Sequence, residues 1–168
     1  SHWEYDASSL ELFQYYRISS NAIYPFKQNG QICFLRFSPL TEKRQGAIAA
    51  ELEFIHYLRS RQYPALEPLP AKTGELFVQQ ATPWGEFVAC VFKRVKGKQV
   101  SDSNYDDKMM FAYGAALGQL HRLSSEYAAP QNKRWTHGDV LDWIEETLLA
   151  LHVEGTPLAE LALLREHF

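Results

Sequence analysis

Two side chains of this sequence stand where physical chemistry makes them unfavourable unless they meet. Residues 45–62 read as a helix, because Ile48, Leu52, Ile55 and Leu58 recur at the three-to-four spacing of an apolar stripe. Glu51 falls within that stripe, whereas Glu53 falls nearly opposite, on the solvent side. A carboxylate on a core-facing stripe is costly unless it is paired with a cation. The nearest upstream candidate is Arg36, near the end of the apolar run Ile32-Cys33-Phe34-Leu35-Arg36-Phe37. A strand cation held by a carboxylate on the next helix can orient phosphate groups. A structural ion pair is the plain alternative.

The elements that must position this pair follow from turn chemistry and periodicity. Tyr16-Arg17-Ile18 and Ala22-Ile23-Tyr24-Pro25-Phe26 are strand-like, and Lys27-Gln28-Asn29-Gly30-Gln31 is a turn. Asn-Gly is a strong hairpin signal because both of its positions need positive φ. The partner strand returns over 31–37, and the Glu51 helix follows until Pro64, Pro68 and Pro70 close it. A second hairpin joins Leu76-Phe77-Val78-Gln79-Gln80 to 86–92 through Thr82-Pro83-Trp84-Gly85. The order strand, strand, strand, helix, strand, strand predicts an α+β arrangement: an antiparallel sheet of about five strands with one packed helix. After Gly97 the pattern turns helical. Asp102, Ser103 or Asn104 would cap a helix over roughly 105–124, and Asp139 one over roughly 140–151. Thr156-Pro157 would open a last helix running to Phe168.

Composition narrows the function classes. The chain has 168 residues, 46% hydrophobic and 22% charged, with a net charge of −3, which suits one domain or two small lobes. No basic stripe suggests a nucleic-acid surface. No apolar run approaches the about 18–20 residues that span a membrane, and the cytoplasm is the expected compartment. Cys33 and Cys90 lie in strand-like runs and read as free buried thiols. The histidines and cysteines make no metal-ligand spacing, and neither a Gly-x-Ser-x-Gly nor a Walker motif occurs.

Taken in order, several short runs resemble the aminoglycoside phosphotransferase and choline kinase-like family, which shares the protein-kinase-like fold. They are Ser19-Ser20-Asn21-Ala22-Ile23-Tyr24, Phe34-Leu35-Arg36-Phe37, Glu51 on the following helix, Lys96-Gly97 after a strand, and Leu117-Gly118-Gln119-Leu120-His121. The resemblance implies a nucleotide-clamping N-lobe over 1–97 and the start of a helical C-lobe over 98–168. It implies that Ser19, Ser20 and Asn21 form the turn over the ATP phosphates, and that Arg36, partnered by Glu51, contacts the α- and β-phosphates. Lys93, Arg94 and Val95 would be the hinge that offers backbone groups to adenine, and Ile18, Ile23, Phe34 and Phe92 would enclose the purine. Ordinary loop chemistry for Ser19–Asn21 and core packing for Phe34 and Phe92 are the structural alternatives. The implied cofactors are ATP and Mg²⁺, with the metal ligands expected beyond this chain.

His137-Gly138-Asp139 looks like the family's catalytic loop, in which an Asn follows five residues after the Asp. Here that residue is Ile144, and 140–146 read as an amphipathic helix start. Asp139 is therefore expected to cap that helix, and no catalytic residue is assigned in this chain. The expectation is the N-terminal portion of an ATP-dependent phosphotransferase that modifies a hydroxyl of an aminoglycoside, a sugar or an amino alcohol, with the portion itself inactive. The rival expectation is a non-catalytic kinase-like module for nucleotide sensing or protein association, dimerising through a face that a second lobe would cover.

Overall fold

A computed structural model of the chain describes residues 1–41, 45–97, 106–128, 137–151 and 156–166. Its contacts divide it into two compact units, Ser1–Pro130 and Gln131–Phe168.

The first unit is built on a six-stranded antiparallel sheet: β1 (Arg17–Ile18), β2 (Ala22–Gln28), β3 (Gln31–Pro39), β4 (Pro68–Leu69), β5 (Phe77–Thr82) and β6 (Gly85–Lys93). The neighbours run β1-β2-β3-β6-β4, with β5 also on β6. The Asn-Gly signal holds. Asn29 and Gly30 adopt φ of 51° and 74°, so β2 and β3 run on to the turn itself. Asp6 secures the turn from outside, its two carboxylate oxygens accepting the Asn29 and Gly30 N–H groups at 3.0 and 2.8 Å. Between β5 and β6 only Pro83 and Trp84 remain as the loop.

Helix α1 (Gln45–Ser60) covers one face of the sheet, where Ile48, Leu52 and Ile55 bury against Val88, Cys90 and Phe92. Every residue of the expected stripe is buried, Leu58 included. The helix stops before the prolines. Gln62 enters the left-handed region at φ 60°, the Tyr63 N–H reaches back to the Leu58 carbonyl, and the Gln62 N–H to that of Arg59. Those two bonds are a Schellman closure, here without the usual glycine. The other face of the sheet buries Trp3, Phe26, Cys33, Ala71 and Val91. It is covered by the N-terminal segment, including a 3-10 helix (Ala7–Tyr15), with the Trp3 indole N–H donating to the Leu69 carbonyl at 3.1 Å.

Helix α2 (Asp107–Glu126) belongs to this same unit. The Tyr57 hydroxyl donates to the Leu123 carbonyl at 3.1 Å, and Tyr127 packs its ring 5.0 Å from Phe54 and 4.7 Å from Tyr57. The expected caps at 102–104 lie outside the described residues. Asp106 caps the helix, accepting the Met109 N–H at 2.7 Å.

The second unit packs α3 (His137–Ala150) on α4 (Thr156–Arg165), burying Leu141 and Leu161. Arg165 reaches both Asp142 and Glu145 at 2.8 Å. The expectation that Asp139 caps a helix from about residue 140 is corrected. The helix begins at His137, so Asp139 lies inside its first turn, where a carboxylate is stabilised by the positive end of the helix dipole.

Candidate functional site

Strand register sets the site. Arg36 on β3 lies opposite Ile23 on β2 and Cys90 on β6, so these side chains share the sheet face that α1 covers. Phe34, two residues earlier, shares that face and lies opposite Phe92. Arg36 reaches across to α1 as a fork: Nη1 meets Glu51 Oε1 at 2.7 Å and Nη2 meets Oε2 at 2.9 Å. Two parallel charge-assisted bonds fix the guanidinium plane as well as its position. The Phe92 ring supports it from beneath, 5.1 Å from the guanidinium carbon.

Burial decides how the pair behaves. The Arg36 side chain is 17% exposed and that of Glu51 is 40%. The arginine is therefore the covered partner, and Glu51 stands at the margin of the stripe rather than in its middle. Burial works against the Arg36 charge, but the Glu51 hydrogen bond leads the interactions that outweigh it and raise the guanidinium pKa above its ordinary value. Burial also pushes the neighbouring Cys90 thiol up, so it stays protonated beside the cation. The fork engages one N–H on each terminal nitrogen of a five-donor group. Arg36 thus keeps N–H donors beyond those committed to Glu51.

The Ser19–Asn21 turn lies beside this pair. The Ser19 N–H closes the turn on the Asn21 carbonyl at 3.0 Å. The Asn21 side chain accepts the buried Ser38 hydroxyl at 2.5 Å. Ser38 lies two residues beyond Arg36 on the same strand face, a step of about 7 Å, so the turn is tied down next to the guanidinium. Ser19 and Ser20 are exposed. Of the residues expected around a purine, Ile23 and Phe34 sit half-buried on the Arg36 face. Phe92 is a core side chain whose ring serves Arg36. Ile18 lies opposite Ala22, which places it on the other face of the sheet, where it is exposed. The period of two separates Ile18 from Ile23.

At the 93–95 segment the backbone is partly engaged. The Lys93 N–H donates to the Glu67 carbonyl at 2.9 Å and the Arg94 N–H to the Ile32 carbonyl at 3.1 Å. Val95 makes no backbone hydrogen bond among the described residues and is exposed. A cavity of about 930 Å³ runs along this stretch, lined among others by Ile32, Arg59, Glu67, Lys93, Val95 and Lys96. Arg36, Glu51 and the 19–21 turn do not line it. Among the described residues no three His, Cys, Asp or Glu side chains converge as metal ligands.

Sequence reasoning passed over two participants. Ser38 was hidden because its partner Asn21 lies across a strand pair. Glu67 was hidden because β4, which delivers it to Lys93, is only two residues long.

Comparison with known proteins adds to this geometry. The family model described as "Phosphotransferase enzyme family" matches residues 19–167. The amicoumacin kinase of Bacillus subtilis (strain 168) is 23% identical over 138 residues, which is 79% of this chain and 39% of that protein. A solved structure of an amicoumacin kinase in complex with AMP-PNP, Ca²⁺ and Ami is 17% identical, with a TM-score of 0.72 over 92% of this chain and 51% of the other. A microcompartment-associated aminopropanol kinase is 18% identical, with a TM-score of 0.65 over 81% of this chain and 42% of the other. The chain thus spans about half the length, or less, of the relatives that it matches.

Proposed function

Because this chain belongs to the phosphotransferase enzyme family, we propose that it is the nucleotide-clamping part of a protein that transfers the ATP γ-phosphoryl group to a hydroxyl of a small molecule. The observation that carries the proposal is the Arg36–Glu51 fork, a cation fixed by two hydrogen bonds beside a tied-down turn. The residues fit the nucleotide. Arg36 retains donors for phosphate oxygens, and the exposed Ser19-Ser20 turn stands on the same side. Val95 offers backbone groups suited to an adenine edge, and Ile23 and Phe34 stand half-buried on the Arg36 face of the sheet.

Bound ATP would supply the transferable phosphoryl group, and a divalent cation such as Mg²⁺ would neutralise its charge. This chain's own residues act by position. Glu51 prevents the guanidinium from rotating, so Arg36 meets an oxygen on the α- or β-phosphate without losing further conformational freedom. A hinge along 93–95 would fix the purine and thereby the reach of the phosphates. The segment 1–97 acts as the clamp and 98–168 begins the acceptor-side lobe. The 168-residue chain alone is expected to bind nucleotide without transferring phosphate, because Ile144 stands five residues after Asp139, where the family's catalytic loop carries Asn.

The relatives' names suggest acceptors. One acts on amicoumacin and one on aminopropanol. We infer a hydroxyl on an amine-bearing small molecule, such as an amino alcohol or an aminoglycoside, as the acceptor. The test is acceptor-dependent ADP release by the whole protein with Mg²⁺ and ATP, across a panel of amino alcohols, aminoglycosides and sugars. Release with an amine-bearing alcohol supports the proposal. Nucleotide binding with no release for any acceptor would favour a non-catalytic nucleotide sensor instead.

A further inference from the structure

The Glu67 carboxylate holds two cations from two different elements. One oxygen takes Lys93 Nζ at the end of β6, and the other takes Arg59 Nη2 on the last turn of α1 at 3.2 Å. Both arms are doubled by the backbone. The Glu67 carbonyl accepts the Lys93 N–H at 2.9 Å, and Arg59 Nη1 donates to the Ala65 carbonyl at 3.1 Å. Glu67 is therefore the common anchor of α1 and of the 93–95 segment. The same helix carries Glu51 two turns earlier, so one element reaches the phosphate-side cation near its middle and the 93–95 segment at its C-terminal end.

From this geometry, and resting on the nucleotide-clamp reading, we propose that Glu67 is a positioning residue. It couples the register of the 93–95 segment to α1 and so sets how well that segment receives the adenine edge. It touches no nucleotide itself. Lys93 holds the Glu67 carboxyl below the usual carboxylate range, so the anchor stays ionised at neutral pH. The three side chains are 38–41% exposed, which limits such a pair to a modest effect.

The test uses the full-length protein and two probes: adenosine, which reports the hinge side alone, and inorganic tripolyphosphate, which reports the Arg36 side alone. Glu67→Ala and Arg59→Met are each expected to weaken adenosine about two- to fivefold, the range open to a half-exposed ion pair. Tripolyphosphate affinity is expected to stay at the wild-type value. The double variant is expected to lose no more than the larger single loss, because both substitutions cut one connection. Unchanged adenosine binding, additive losses, or equal losses for both probes would overturn the proposal, the last because it marks general loosening of the fold. Wild-type protein that binds neither probe would instead overturn the nucleotide-clamp reading.

Discussion

Arg36 illustrates how a covered charge is made tolerable: a bidentate carboxylate on one side, an aromatic face beneath and a neutral thiol across the strand. Replacing Glu51 with Ala leaves the guanidinium without its acceptor. The expected loss is about 1–2 kcal/mol, below the upper range for charged hydrogen bonds because Glu51 itself reaches solvent. A urea midpoint that drops with an unchanged slope would report it. Glu67 carries a pH signature. Its folded-state pKa lies below the ordinary value, so its contribution to stability is complete above the unfolded carboxylate range and is lost as pH falls through the lowered value. Thermal midpoints of wild type and Glu67→Gln are accordingly expected to differ at neutral pH and to converge in strong acid. A gap that persists in acid would assign the effect to packing.

At the scale of elements, the parts legible in the sequence were those written locally. The Asn29-Gly30 turn and the stripe Ile48, Leu52, Ile55, Leu58 depend on neighbours within a few residues, and both stand as expected. The Glu51 pairing was legible because α1 is the helix that follows β3 in the chain, although it is Arg36, not the half-exposed Glu51, that burial obliges to find a partner. What the sequence did not disclose depends on distant contacts. The strand β4 has no pattern of its own and exists because β6 offers an edge. The 3-10 helix over 7–15 is fixed by Asp6 and Ser9 meeting the backbone of Lys27. The end of α1 was misread because prolines advertise a stop, whereas the Gln62 conformation makes it. That closure is testable. Gln62→Gly is expected to stabilise the fold by about 0.5–1 kcal/mol, since glycine adopts positive φ without the side-chain penalty. Asp6→Ala is expected to cost about 1–2 kcal/mol, through two backbone N–H groups left without their carboxylate. Both changes are read as shifts of the denaturation midpoint.

At the scale of the whole molecule, the first compact unit carries the parts that the proposed clamp would use: a fixed cation, an anchored turn and a strand end with backbone groups to offer. The solved relatives share this fold across most of the chain, while the chain spans about half of them. On the proposed reading, nucleotide holding is the part of the function that can be tested on this chain by itself. The most direct measurement is a titration of the 168-residue chain with ATP and Mg²⁺ by calorimetry, wild type against Arg36→Ala. Wild type is expected to bind saturably, with affinity weakened about tenfold or more when the guanidinium is removed, consistent with the loss of charge-assisted phosphate contacts. Equal affinity in the two proteins would remove Arg36 from the site and leave the Arg36–Glu51 fork as a structural ion pair.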